Sequence, residues 1–234
     1  MVKEIRGIIF DLDGTLYVYP PAHRAGLIAS HKKYPVRTSY QKFVAKYDAA
    51  RSANEARLYG TGSAHNRLLY FQRMLEIDEC FSPQLALDLN RVYWTAFITS
   101  MQQQLEPQLR EVMINLVRKY KIGVISNLTA DVQFAKVAAH RLWPLIDAMV
   151  TSEEAGCEKP QTGGVELLLH KLNLRAENVV LVGDNPATDG LVATRMGITY
   201  IQIIRTDMKK TVTGVVTWKK IRKLAELPKL LEEL

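Results

Sequence analysis

The sequence predicts an α/β protein: a doubly wound, parallel-sheet (Rossmann-like) core with an inserted α-helical bundle. Three observations carry this. Short runs of nearly unbroken Val, Ile and Leu alternate with helical patterns, as a parallel sheet covered on both faces requires. Polar clusters follow directly on three of these runs, and two of them carry paired acidic residues. The interval between the first run and the second, roughly residues 17–120, far exceeds the dozen or so residues that a crossover helix needs.

The strands are expected at residues 5–10, 122–125, 148–150, 179–182 and 198–204. Apolar residues at helical spacing mark 107–120, where Leu109, Val112, Met113, Leu116 and Val117 share one face, and then 131–142 and 164–172. The long interval reads as helix throughout: 22–34, 39–59, 63–75, and 83 to about 105. In the last of these Ser82 is the N-cap and Pro83 takes the first helical position. Leu85, Leu89, Val92, Tyr93, Ala96 and Phe97 form its stripe. Four amphipathic helices of this length bury their stripes against one another. Residues 17–104 are therefore expected to form a helical cap domain, with 1–16 and 105–234 forming the core. Residues 218–234, carrying Ile221, Leu224, Leu227, Leu230 and Leu231, read as a docking helix with a basic start.

At 47% hydrophobic and 24% charged, the 234-residue chain is neither disordered nor collagen-like. Cys80 and Cys157 form no CxxC or Cys/His metal spacing, which points to a reducing, cytoplasmic compartment. No signal peptide or membrane span is read, since no stretch approaches 18 consecutive apolar residues. The net charge is +7. Residues 17–101 contribute +5 and residues 205–223 contribute +6, so the rest of the chain sums to −4. A basic balance fits a nucleic-acid partner, an anionic small substrate or simply a soluble surface. A positive insert over an acidic crevice suits steering of a small anion, and leaves nucleic acid the weaker partner. Monomer and homodimer both stay open.

Four clusters carry the chemistry, and ligands of open parallel sheets bind outside the carboxyl ends of the strands. Asp11-Leu12-Asp13-Gly14-Thr15 follows the first strand. Two carboxylates pointing the same way in a dry crevice need a cation, and a hard divalent metal supplies one; the bland alternative is an ordinary turn. Ser126-Asn127 follows the second strand, where a hydroxyl and fresh backbone N–H groups can hold phosphate oxygens or merely cap a helix. Lys159-Pro160 in isolation is a solvated turn. Gly183-Asp184-Asn185-Pro186-Ala187-Thr188-Asp189 follows the fourth strand and adds two carboxylates.

In order and spacing these clusters resemble the haloacid dehalogenase-like hydrolases. Asp11, Asp13 and Thr15 match that family's Asp-x-Asp-x-Thr motif; Ser126, Lys159 and the Asp184/Asp189 pair match its later motifs in order. The helical insert sits where one subfamily carries an α-helical cap. The acidic pair is five positions apart where many members use four, and Gln161-Thr162-Gly163-Gly164 replaces the usual Asp-Pro and aromatic residue after the lysine. The resemblance implies a phosphatase acting on a small phosphorylated substrate. Asp11 is then the nucleophile that forms an aspartyl-phosphate, and Asp13 the general acid and base. Lys159 neutralises charge, Thr15, Ser126 and Asn127 hold the phosphate, and Mg²⁺ sits on Asp11, the Asp13 carbonyl and Asp184, with Asp189 close by. The family's dehalogenases lack the second aspartate, so Asp13 favours phosphoryl transfer. A phosphomutase built on the same core, and a non-catalytic basic binding protein on this scaffold, are the alternatives.

Substrate choice is expected to lie in the insert, at the turn 59–65 with His65 and Arg67 foremost. Tyr17, Tyr19, His23 and Arg24 are further crevice candidates. His31, His140 and His170 read as surface or core-packing residues, and Trp94, Trp143 and Trp218 as core or interface fillers.

Overall fold

The computed structural model describes residues 4–103, 105, 108–205, 212–216 and 219–234. Six parallel strands, β1 (Gly7–Asp11), β2 (Lys121–Ser126), β3 (Ala148–Thr151), β4 (Val179–Gly183), β5 (Thr199–Ile203) and β6 (Lys219–Ile221), form one sheet in the order β3-β2-β1-β4-β5-β6. The side chains of β1 alternate between two apolar layers. Ile8 and Phe10 join Ile122, Val124, Val180 and Val182 on one face, and Ile9 joins Ile125, Leu181 and Val150 on the other. This is why the strands read as continuous rather than alternating hydrophobic runs.

Among the described residues five helices stand between β1 and β2, and the first four form the insert: α1 (Tyr19–Lys33), α2 (Tyr40–Arg57), α3 (Arg67–Ile77) and α4 (Pro83–Gln103). Each start has a local cause. Pro20 and Pro21 occupy the first turn of α1, and the side-chain oxygens of Ser39, Asn66 and Ser82 accept backbone N–H bonds at the starts of α2, α3 and α4. Helices α1 and α4 lie close because Gly26 leaves room for a ring: a β-carbon there would stand 2.7 Å from Tyr93. Phe43, Tyr47, Tyr70, Phe71, Tyr93 and Phe97 fill the space between these helices, and their apolar cluster continues into the β1 face bearing Ile8 and Phe10.

Elsewhere α5 (Leu109–Val117), α6 (Ala130–Ala139), α7 (Ser152–Ala155), α8 (Gly163–Leu172), α9 (Leu191–Met196) and α10 (Leu227–Leu231) link or flank the strands. Three expectations are corrected. Residues 63–65 belong to a separate turn, Gly62–His65, that precedes α3. The C-terminal segment is not one helix: β6, a single turn and the five-residue α10 replace it. Lys219 and Lys220 are exposed and Ile221 alone is buried, so this edge strand is too short to show a period. Trp143 is 59% exposed rather than a core filler. The expected boundary at 104, the helix start at Pro107 and Trp218 lie outside the described residues.

Candidate active site

The strand register brings the motifs together. Asp11 pairs with Ile125 at the end of β1, beside Ser126, and Phe10 pairs with Val182, next to Gly183 and the acidic loop. The carboxyl ends of β2, β1 and β4 thus meet around one cavity of about 430 Å³, lined by Asp11, Asp13, Ser126, Asn127, Lys159, Asp184 and Asp189 among others.

Asp11 is 6% exposed. Its Oδ1 accepts from Lys159 Nζ at 2.6 Å and its Oδ2 from Thr15 Oγ1 at 2.8 Å. Thr15 is fully buried, and this bond aims the carboxylate. Lys159 also reaches Asp189 Oδ1 at 2.7 Å. Burial pushes the Asp11 carboxyl up to about 7; Lys159 opposes this and the neighbouring Asp189 carboxylate adds to it. Burial also pushes Lys159 down, but Asp11 and Asp189 outweigh it and hold the ammonium above its ordinary value. Carboxylate oxygens of Asp11, Asp184 and Asp189 lie within 4.8 Å of one another. An all-oxygen, acidic donor set of this kind fits a hard divalent cation. Gly14 makes the cluster reachable: at φ +90° it turns the chain, and a β-carbon there would stand 2.4 Å from Asp184 Oδ2.

Asp13 faces elsewhere. Its oxygens accept from Lys136 Nζ at 2.7 and 2.8 Å, from Gln133 Nε2 at 3.0 Å and from the Tyr17 hydroxyl. Burial alone raises this carboxyl, but the charge and hydrogen bond of Lys136, with the bonds from Tyr17 and Gln133, hold it below its usual range. The Asp13 side chain thus bonds one cation and two neutral donors of the fold rather than joining the acidic cluster. Gln133 Nε2 also donates to Ser126 Oγ, and Asn127 exchanges hydrogen bonds with the Lys159 backbone at 3.2 and 3.0 Å.

Sequence reasoning missed Lys136 and Gln133. Helix α6 turns two of its polar residues, Gln133 and Lys136, inward, while Phe134 is 55% exposed. An inverted stripe directly after the Ser126 strand was the available signal. Lys136 is 1% exposed and lies 5.2 Å from the Trp94 ring and 5.1 Å from that of Phe97, so a core helix and the insert meet at one ammonium group.

From the insert, Tyr19, Arg51, His65 and Arg67 reach the cavity. Arg51 Nε and His65 Nδ1 share Glu55 at 2.7 and 2.9 Å, and His65 Nε2 lies 3.5 Å from Glu158. Burial raises Glu55, yet its bonds from His65 and Arg51 bring it down to about 2. Arg67 differs. It is 8% exposed, donates to the His65 carbonyl and the Tyr19 hydroxyl, and has no carboxylate at ion-pair distance among the described residues. Its Nε is buried with no hydrogen-bond partner. The Tyr70 and Trp94 rings, 5.8 and 5.3 Å away, supply cation–π attraction worth roughly 0.5–2 kcal/mol, against several kcal/mol to bury an unpaired ion. His23 bonds the Tyr93 hydroxyl instead of lining the cavity, and Arg24 is exposed. His140 packs on Tyr17 and is pushed down to about 4 by burial.

No helix among the described residues is long and apolar enough to cross a membrane. The family model for haloacid dehalogenase-like hydrolases matches residues 5–197. The chain is 35% identical to a ribulose-1,5-bisphosphate 5-phosphatase of Halopiger xanaduensis over 196 residues, 82% of this chain and 81% of that one. It is 22% identical to a glyceraldehyde 3-phosphate phosphatase of Methanocaldococcus jannaschii over 98% of each. The magnesium-bound HAD-hydrolase YfnB of Bacillus subtilis shares the fold with a TM-score of 0.76 at 20% identity, over 98% of this chain and 99% of that one. With the motif residues of β1, β2 and β4 gathered at one cavity and these likenesses spanning most of its length, the chain belongs to the haloacid dehalogenase-like hydrolases.

Proposed function

We propose that the protein is a Mg²⁺-dependent phosphatase that hydrolyses a small phosphorylated metabolite through an aspartyl-phosphate. The observation that carries this reading is Asp11, buried at the end of β1, bonded to Lys159 and clustered with Asp184 and Asp189. An anionic nucleophile meets an anionic phosphoryl group only where fixed positive charge offsets the repulsion. Lys159 offers one such charge. A cation held by Asp11, Asp184 and Asp189, with the Asp13 backbone carbonyl, would supply the rest by polarising phosphoryl oxygens.

Asp11 attacks phosphorus in line and the ester oxygen departs with a proton from Asp13. Asp13, now ionised, takes a proton from the water that cleaves the acyl phosphate, so the acid is regenerated. Lys136, Tyr17 and Gln133 hold Asp13 as a carboxylate in the resting protein. An arriving phosphate dianion opposes that ionisation and favours the acid form needed first. Ser126 and Asn127 face the cavity, where they would hold phosphate oxygens. Residues 17–104 act as a cap that supplies Tyr19, Arg51, His65 and Arg67 to the cavity. Cys80 and Cys157 are unpaired, which suits a cytoplasmic enzyme.

The test is Asp11→Asn. It is expected to keep the wild-type circular dichroism and lose Mg²⁺-dependent p-nitrophenyl phosphate hydrolysis by roughly 10³-fold or more. Retention of most activity would sink the assignment. Release of free phosphate, rather than an isomerised phosphosugar, separates phosphatase from mutase.

A further inference from the structure

We propose that the preferred substrate carries a second anionic group besides the phosphoryl attacked at Asp11, and that Arg67 binds it. This rests on the phosphatase reading above and names the substrate class it takes: a small bis-anionic phosphate ester.

Charge and burial carry the inference. Of the three basic side chains that the insert brings to the cavity, Arg51 and His65 are already neutralised by a shared carboxylate, Glu55. Arg67 is more deeply buried than either and has no carboxylate at ion-pair distance among the described residues. Arg51 stands near enough to repel it, so the pair of guanidinium groups raises the cost of leaving one unpaired. The Arg67 Nε–H is buried and unspent. Arginine does not escape burial by losing its proton. The cost of holding this cation without a carboxylate at a ligand cavity is offset when an anion arrives.

Position makes that anion a second one. Lys159 directs its charge to Asp11 and Asp189 at the ends of the strands, whereas Arg67 comes to the same cavity from α3 and is held by the insert's own groups, the His65 carbonyl, the Tyr19 hydroxyl and the Tyr70 and Trp94 rings. The Tyr19 hydroxyl accepts from Arg67 at 2.6 Å, and Tyr19 also lines the cavity, where it adds a polar contact. A planar guanidinium with an unpartnered Nε–H suits a tetrahedral phosphate or a carboxylate, both of which take paired N–H bonds. The cavity volume of about 430 Å³ falls within the range of small-ligand sites.

The test compares kcat/KM for three classes of substrate with Mg²⁺ present. They are a pentulose 1,5-bisphosphate, the matching pentulose 5-phosphate, and a phosphorylated hydroxy acid whose second anion is a carboxylate. Wild type is expected to favour a doubly anionic substrate over the monophosphate by roughly 10- to 100-fold, the scale of a charged hydrogen bond. Whether the bisphosphate or the carboxylate leads identifies the second anion. In Arg67→Met this discrimination ratio falls to about threefold or less, while Arg67→Lys keeps a ratio between those of wild type and Arg67→Met. Equal kcat/KM for mono- and bis-anionic substrates in wild type overturns the proposal, as does an unchanged ratio in Arg67→Met. Should Arg67→Met not fold, the wild-type and Arg67→Lys ratios decide. Wild type that hydrolyses no ester, p-nitrophenyl phosphate included, refutes the phosphatase reading instead. Calorimetric binding of the bisphosphate against the monophosphate then tests the anion site alone.

Discussion

Replacing Lys136 by Met tests whether the inward-facing ammonium group holds Asp13. The substitution conserves volume and keeps a polarisable chain end near Trp94 and Phe97, so lost packing contributes little. What disappears is a two-oxygen ion pair at 2.7 and 2.8 Å between a side chain 1% exposed and one 23% exposed. Removing one partner of a buried pair costs about 3–5 kcal/mol. Asp13 keeps the Tyr17 and Gln133 donors and some contact with water, which places the expected loss near the low end, about 3 kcal/mol. For a chain of this size that lowers Tm by roughly 6–12 °C. The sign with pH follows from Asp13. Its carboxyl is held below the ordinary value of 3.8, so the pair's contribution is present above that value and lost as pH falls through the lower, folded one. The gap between wild type and Lys136→Met is therefore widest near neutrality and closes in acid. Thermal unfolding followed by circular dichroism from pH 3 to 8 measures it. Adding Asp13→Asn to Lys136→Met removes the stranded charge and is expected to cost no further stability, a coupling of about 2 kcal/mol or more. A single-variant loss under about 1 kcal/mol at pH 7, or two losses that simply add, would refute the reasoning.

Gly14→Ala places a β-carbon 2.4 Å from Asp184 Oδ2 at φ +90°; a destabilisation of about 1–3 kcal/mol and weakened Mg²⁺ binding are expected, read by thermal unfolding and titration calorimetry, and unchanged affinity counts against the carboxylate cluster as the cation site. Saturating Mg²⁺ at 100 times its Kd is expected to stabilise the folded protein by about 2.7 kcal/mol, and chelation to reverse this in a denaturation midpoint. Because Asp11 lies up at about 7, mainly through burial, cation uptake is expected to release protons below pH 7, so affinity rises as pH climbs through 7. Calorimetry in buffers of different ionisation enthalpy detects the proton release, and its absence at pH 6 would show that Asp11 is already ionised in the free protein.

The two levels of the molecule were legible in the sequence to different degrees, for a physical reason. Strands β1 to β5 and the long insert announced themselves because a two-faced parallel sheet and amphipathic helices impose periods on their apolar residues. The Asp11–Thr15, Ser126–Asn127 and Asp184–Asp189 clusters were legible because their place after a strand gives a polar residue meaning, whereas Lys159, which follows no strand, was legible only through its order among the family's motifs. Lys136 and Arg67 obey neither rule. Each is a long basic side chain on a helix, which by itself reads as solvated surface, and yet each is buried against Trp94. What distinguishes them is where each charge is answered. Lys136 meets its carboxylate in Asp13, 123 positions away, and so reads as part of the polar surroundings of the Asp11–Thr15 cluster. No carboxylate among the described residues answers Arg67, which reads as a cation waiting for a ligand. A pattern within one helix carries neither fact, because compensation of a buried charge is set by contacts across the fold. The insert's chemistry therefore becomes readable only once the chain is folded, by asking which buried charges the protein has left unmatched.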